Sequence, residues 1–176
     1  MAVPNALNVD DVLDGLLQFC GTMEFVPVDR FVVADNFKVG NMVGGRKIGS
    51  VGKNFLDHFG GVTEKDVPAR IVPVWQLVNA TIDAPVIVMF GGIAEPKVQL
   101  HLSHLFQMME QGKQGKGRFY AYVNFSYLSS PRDGRLWAPH WSFGDGEDDE
   151  GGDFEVEASR STQLIPWTKG FRVCGG

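Results

Sequence analysis

The chain lacks any apolar run near the ~18 residues a membrane-spanning helix needs. Its longest apolar stretches, such as Pro85 to Phe90, are strand-sized. The first eleven residues hold no base and already carry Asp10 and Asp11, so the basic start of a signal peptide is missing. No membrane partner is expected. The sequence reads as a cytoplasmic protein or one within an assembled particle, not one secreted by a signal peptide. Only two cysteines occur, Cys20 and Cys174, too few for a disulfide framework. Their spacing leaves open whether they meet, and two reduced thiols are expected. Cys20 reads as an inert thiol closing an apolar helix, whereas Arg172 beside Cys174 suggests a thiol that could be activated.

Catalytic signatures are equally scarce. There is no G-x-S-x-G and no G-x-G-x-x-G. A phosphate loop ending in Gly52-Lys53 would need glycine where Lys47 stands and a hydroxyl residue where Asn54 stands. No cofactor and no metal centre are expected, and the reading leans away from an enzyme.

What is present is a globular composition: 44% hydrophobic and 21% charged residues over 176 positions, which excludes wholesale disorder. That length fits one domain spanning residues 1–176, large enough to bury a core without metals or disulfides. The 22 glycines and 9 prolines favour turns over a helical bundle.

Asn8 as a cap, with Val9, Val12, Leu13, Leu16 and Leu17 at helical spacing, predicts a first helix closed by Gly21. Val- and Phe-rich strands follow at Met23 to Val28 and Arg30 to Ala34. Residues 35–53 form a glycine-rich basic stretch, either a long loop or a twisted hairpin, before a short helix ending at Gly60-Gly61. Arg70 to Ile82 and Pro85 to Phe90 read as buried strands, with Pro73 marking an edge or bulge. Gly91-Gly92 turns the chain. Pro96 to Gln111 reads as the longest helix, although Leu100 fits it badly and Val98-Leu100-Leu102 could be a strand. Arg118 to Leu128 alternates Phe119, Ala121, Val123, Phe125 and Tyr127 against Tyr120, Tyr122, Asn124 and Ser126. A turn at Pro131 to Gly134 joins it to a partner strand at Arg135 to Phe143. Short strands complete the chain at Phe154 to Ala158, Thr162 to Trp167 and Phe171 to Val173. The expected fold class is α+β: a mostly antiparallel sheet of hairpins with two main helices packed on one face, in a single domain.

The net charge of −5 hides a segregation. From Asp145 to Glu157 there are eight acids and no base, centred on an acidic loop at 144–153. Against it stand the cations Lys38, Arg46, Lys47 and Lys53, and a second basic stretch from Lys113 to Arg132. Complementary loops could meet within one fold or between subunits.

The candidate binding residues are Lys113, Lys116, Arg118, Tyr120 and Tyr122, a basic stretch leading onto an aromatic strand face, and the Trp137, His140, Trp141 cluster. Basic grooves with stacking aromatics suit single-stranded nucleic acid, though the isoelectric point near 5.3 opposes it. His101 and His104, three apart on a helix, could share a proton. His58 sits beside glycines where a ligand could approach.

The leading expectation is a non-catalytic binding or assembly protein, self-associating through aromatic and segregated charged surfaces, as a homo-oligomer or with a protein partner. The alternatives are a single-stranded nucleic-acid-binding protein, and a small-molecule enzyme with a histidine acid–base group in an α+β cavity. The last requires histidines to converge in a pocket.

Overall fold

The computed structural model describes residues 15–92, 99–112, 123–143, 152–161 and 167–175. Strands β1 (Leu17–Phe25) and β2 (Val28–Val32) lead into a single helical turn, α1 (Val33–Asn36). Next come β3 (Met42–Val43), β4 (Arg46–Val51), α2 (Lys53–Phe59), β5 (Thr63–Val67) and β6 (Arg70–Leu77). The chain continues through α3 (Asp83–Met89), α4 (Leu102–Gly112), β7 (Asn124–Phe125) and β8 (Leu128–Ser129). It closes with β9 (Leu136–Phe143), β10 (Phe154–Arg160) and β11 (Arg172–Cys174). The fold is α+β and a single domain. A nine-stranded sheet runs β1-β6-β11-β7-β9-β10-β4-β3, with β8 also on β9, and β2 pairs β5 in a small second sheet. Most pairs are antiparallel; β10–β4 and β11–β7 are parallel.

Alternation along the central strands fills both faces of the large sheet. Trp137 and Trp141 of β9 enter one core with Val72, Val74, Phe154 and Val156. Leu136 and Ala138 enter the other with Leu77, Val173, Phe125 and Tyr127. Helices α2 and α4 cover the first face through Phe55, Phe59, Leu105 and Met109. Helix α3 covers the second through Val86 and Ile87.

Three local expectations are corrected. Leu17 to Gly21 is strand, not helix: Gly15 takes a left-handed φ of 87°, and β1 then pairs along β6 from Leu17↔Leu77 to Phe25↔Arg70. The register skips at Cys20, a bulge that the φ of 136° at Gly21 accommodates. Residues 8–14 of the expected helix lie outside the described residues.

Pro85 to Phe90 is mostly helix. Pro85 is the third residue of α3, where first-turn N–H groups have no intrahelical acceptor, so the missing donor costs no hydrogen bond. Helix α4 starts at Leu102 rather than Pro96, because Gln99 bridges Tyr127 and the Leu100 N–H donates to the Tyr127 carbonyl. Of the alternative strand Val98-Leu100-Leu102, Val98 lies outside the described residues, Leu102 opens the helix, and only the isolated Gln99 bridge is strand-like.

Pro73 lies in an inner strand, between β1 and β11. Its carbonyl accepts from Gly175, so its missing donor faces the β11 side just past the end of that short ladder. The glycine-rich stretch resolves as the β3–β4 hairpin, turned by Gly44 and Gly45 at φ 52° and 83°. A Cβ on Gly44 would lie 2.9 Å from the Glu110 carbonyl, so glycine seats this turn on the end of α4.

Candidate functional site

Helix α2, strand β5, the start of α4 and the β8–β9 turn enclose an open cleft of about 700 Å³. Asp57, His58, Glu64, His101 and Arg132 contribute its ionisable lining. Two of the four histidines therefore share one concavity.

Glu64 organises the cleft floor. Helix α4 has no Ser, Thr, Asp or Asn in the Gln99-Leu100-His101 stretch before it. The Glu64 carboxylate replaces the local cap, accepting from the Leu102 N–H at 2.7 Å and the Ser103 N–H at 2.9 Å. His101 Nδ1 stands 3.4 Å from the same carboxylate. Burial opposes ionisation of Glu64, but the hydrogen bonds from His101, Ser103 and Leu102 outweigh it and hold its carboxyl below the ordinary range. No local motif marks Glu64, because it caps a helix 38 residues further along.

His58 is held from two sides. Its ring lies 3.7 Å from that of Trp137, and Nδ1 is 2.9 Å from Ser130 Oγ. Ser130 Oγ also accepts from the Arg132 N–H, fixing the β8–β9 turn. Asp133 Oδ1 lies 4.0 Å from the same His58 nitrogen. Serine and aspartate thus approach one ring nitrogen, whereas an acyl-transfer triad uses both. Ser130 is also buried, at 2% exposure, so this trio is a turn brace and not a nucleophile. On the cleft rim, Lys53 donates to Asp57 and Arg132 lies 3.5 Å from it; that pairing, led by Lys53, lowers the Asp57 carboxyl.

The other two histidines are locked in packing. His104 is fully buried and stacks on Phe25 at 4.6 Å. Burial, aided by the nearby His101 charge, pushes it down to about 4. His140 Nδ1 donates to the Ala138 carbonyl at 3.1 Å and its ring meets Trp167 edge-on, and burial lowers it too. Trp141 is fully buried against Phe143 and Phe154. Trp137, His140 and Trp141 therefore share no surface: both tryptophans enter the first core, and His140 faces the second.

Lys113, Lys116, Arg118, Tyr120 and Tyr122 lie outside the described residues. Downstream on the same segment, Asn124 and Ser126 are fully buried, so there the polar-face positions are interior. Among the acidic loop residues described, Gly152 accepts from Arg46, and Asp153 pairs with Lys47 at 3.1 Å. The basic hairpin and this end of the acidic segment meet within one fold.

Both cysteines are free. Cys20 is exposed on β1, Cys174 is buried on β11, and β6 runs between them. Burial pushes the Cys174 thiol up to about 12 against the opposing pull of Arg172, so Arg172 does not activate it. Among the described residues, no three of His, Cys, Asp and Glu converge as metal ligands, and no helix is long and apolar enough to cross a membrane.

One further surface was not anticipated. On β6, Ile71, Pro73 and Trp75 point to one side, and Phe19 of β1 packs edge-on against Trp75 at 5.4 Å. Ile71 is 66% exposed and Phe19 55%. Compared with protein-family models, curated proteins and solved structures, the chain matches none.

Proposed function

We propose that this is a non-catalytic binding or assembly protein that self-associates. The observation supporting this reading is the apolar strip Phe19–Trp75–Pro73–Ile71 on one face of β1 and β6, exposed at Phe19 and Ile71 and half-buried at Trp75 and Pro73. Contiguous apolar surface rich in aromatics is what protein interfaces bury. The β1 edge is a poor alternative contact. Gln111 donates to the Glu24 carbonyl, Gln107 bonds both backbone groups of Val26, and the Cys20 bulge disrupts the rest. The charged surfaces contribute less than the sequence suggests, because Arg46 and Lys47 already engage Gly152 and Asp153 internally.

Size-exclusion chromatography with light scattering tests the reading. The expected result is a multimer that persists at high salt, since apolar burial is not screened as ion pairs are. Phe19→Asp with Ile71→Asp should return it to a monomer. A strict monomer at high concentration in both salts overturns it.

A second reading, a small-molecule site, is favoured by one observation: His58 and His101 line the same cleft.

A further inference from the structure

The cleft holds three carboxylates at or near its lining, and each is already committed. Asp57 is paired with Lys53 and Arg132. Glu64 receives two α4 amides and faces His101. Asp133 accepts from the Arg135 N–H. The groups with capacity left are of another kind.

His101 turns Nδ1 to Glu64, which leaves Nε2 as the ring nitrogen available to a ligand. His58 has Nδ1 at the Ser130 hydroxyl. That oxygen also accepts from the Arg132 N–H, and His58 Nε2 is the ring nitrogen turned away from this brace. Arg132 keeps guanidinium N–H groups beyond those facing Asp57, and its side chain is 58% exposed. Two imidazoles and one guanidinium thus line a single concavity. A phosphate group suits this set: its anionic oxygens accept from guanidinium and imidazole N–H groups, and its hydroxyl can donate to an imidazole nitrogen. A carboxylate brings two oxygens to these three groups, and a phosphate brings four.

We infer that this cleft binds a phosphate group through the Arg132 guanidinium and the imidazoles of His58 and His101. The inference rests on the small-molecule reading of the cleft and is independent of self-association.

The test is a titration of the full chain with inorganic phosphate, followed by NMR of the histidine side chains at fixed pH and ionic strength. A parallel arm uses acetate. The expected result is saturable shifts at His58 and His101, none at His104 and His140, and little effect of acetate. Arg132→Gln, on an exposed turn, should weaken phosphate binding about tenfold, the loss of one charge-assisted hydrogen bond. His101→Gln, checked for folding by circular dichroism, should weaken it similarly. Equal, non-saturating shifts at all four histidines would overturn the inference, as would acetate binding as well as phosphate. A fragment screen separates the two levels. Uncharged fragments in the cleft without phosphate binding would overturn the phosphate assignment and keep the small-molecule reading. No ligand of any kind there would remove both.

Discussion

Glu64 and Asp83 are both withdrawn from water and both hydrogen-bonded, yet their carboxyls move in opposite directions. Glu64 takes two backbone amides from the first turn of α4, where the helix dipole adds positive potential, and faces His101. Asp83, on the other side of the large sheet, takes the Tyr127 hydroxyl at 2.9 Å and the Trp167 indole at 2.7 Å. For Asp83 burial wins over these neutral donors and the carboxyl is raised. For Glu64 the hydrogen bonds win and it is lowered. The helix amides and dipole at Glu64 favour the charged form, and the neutral aromatic donors at Asp83 do not offset its burial. The cleft face is built for ionised groups. The α3 face uses its acid as a clamp between two aromatic side chains, with burial opposing its ionisation.

The largest expected effect falls on that clamp. Asp83→Ala leaves the Tyr127 O–H and Trp167 N–H buried without this acceptor, at about 1–3 kcal/mol each, or about 2–6 kcal/mol together. Urea unfolding at neutral pH measures it. A loss below about 1 kcal/mol would mean that water or another acceptor serves both donors. The pH sign sharpens the contrast. With its carboxyl raised in the fold, Asp83 contributes stability that is present below the ordinary aspartate range and lost as pH rises through its raised value. Relative to Asp83→Asn, the wild type should therefore gain stability on acidification.

The next effect belongs to His104, buried behind the cleft. Its value of about 4, against an ordinary 6.5, means that the unfolded chain binds a proton the fold refuses. Its contribution is intact above pH 6.5 and is lost as pH falls towards 4, by about 3 kcal/mol at the lower end. The Pro68 carbonyl and Glu64 pull the other way, and burial, His101 and Arg70 prevail. Stability measured from pH 7 to 4 should fall less steeply in His104→Leu than in the wild type. Parallel curves would show that this imidazole protonates without cost.

The sequence carried these two regions unequally. The turn at Pro131 to Gly134 pointed to β9 as a strand after it, because local chemistry dictates such a turn, while the glycine-rich basic stretch admitted the β3–β4 hairpin only as one of two readings. Leu16 and Leu17 complete a helical stripe as well as they open a strand, and only pairing along β6 decides between the two. Pro85 read as part of a strand because a proline within the first turn of a helix looks, one residue at a time, like any other proline. His58 and His101 were visible as candidates. Their shared cleft was not, since α2 and the start of α4 lie more than forty positions apart. Asp83 and Glu64 carried no mark at all: their partners, Tyr127, Trp167, Leu102 and Ser103, are all distant in the chain.

The smallest effect tests the cleft side of the comparison. Glu64→Ala removes the cap of α4, a loss of about 1–2 kcal/mol. Its pH signature should oppose that of Asp83. Because the fold lowers the Glu64 carboxyl, its contribution is present above the ordinary glutamate range and is lost as pH falls through the lowered value. The difference between wild type and Glu64→Gln should therefore be largest at neutral pH and shrink in acid, while the difference between wild type and Asp83→Asn changes in the opposite sense. Two slopes of the same sign would mean that the α4 dipole and His101 do not hold Glu64 ionised. That result would also remove the Nδ1 anchor that leaves His101 Nε2 open to a ligand.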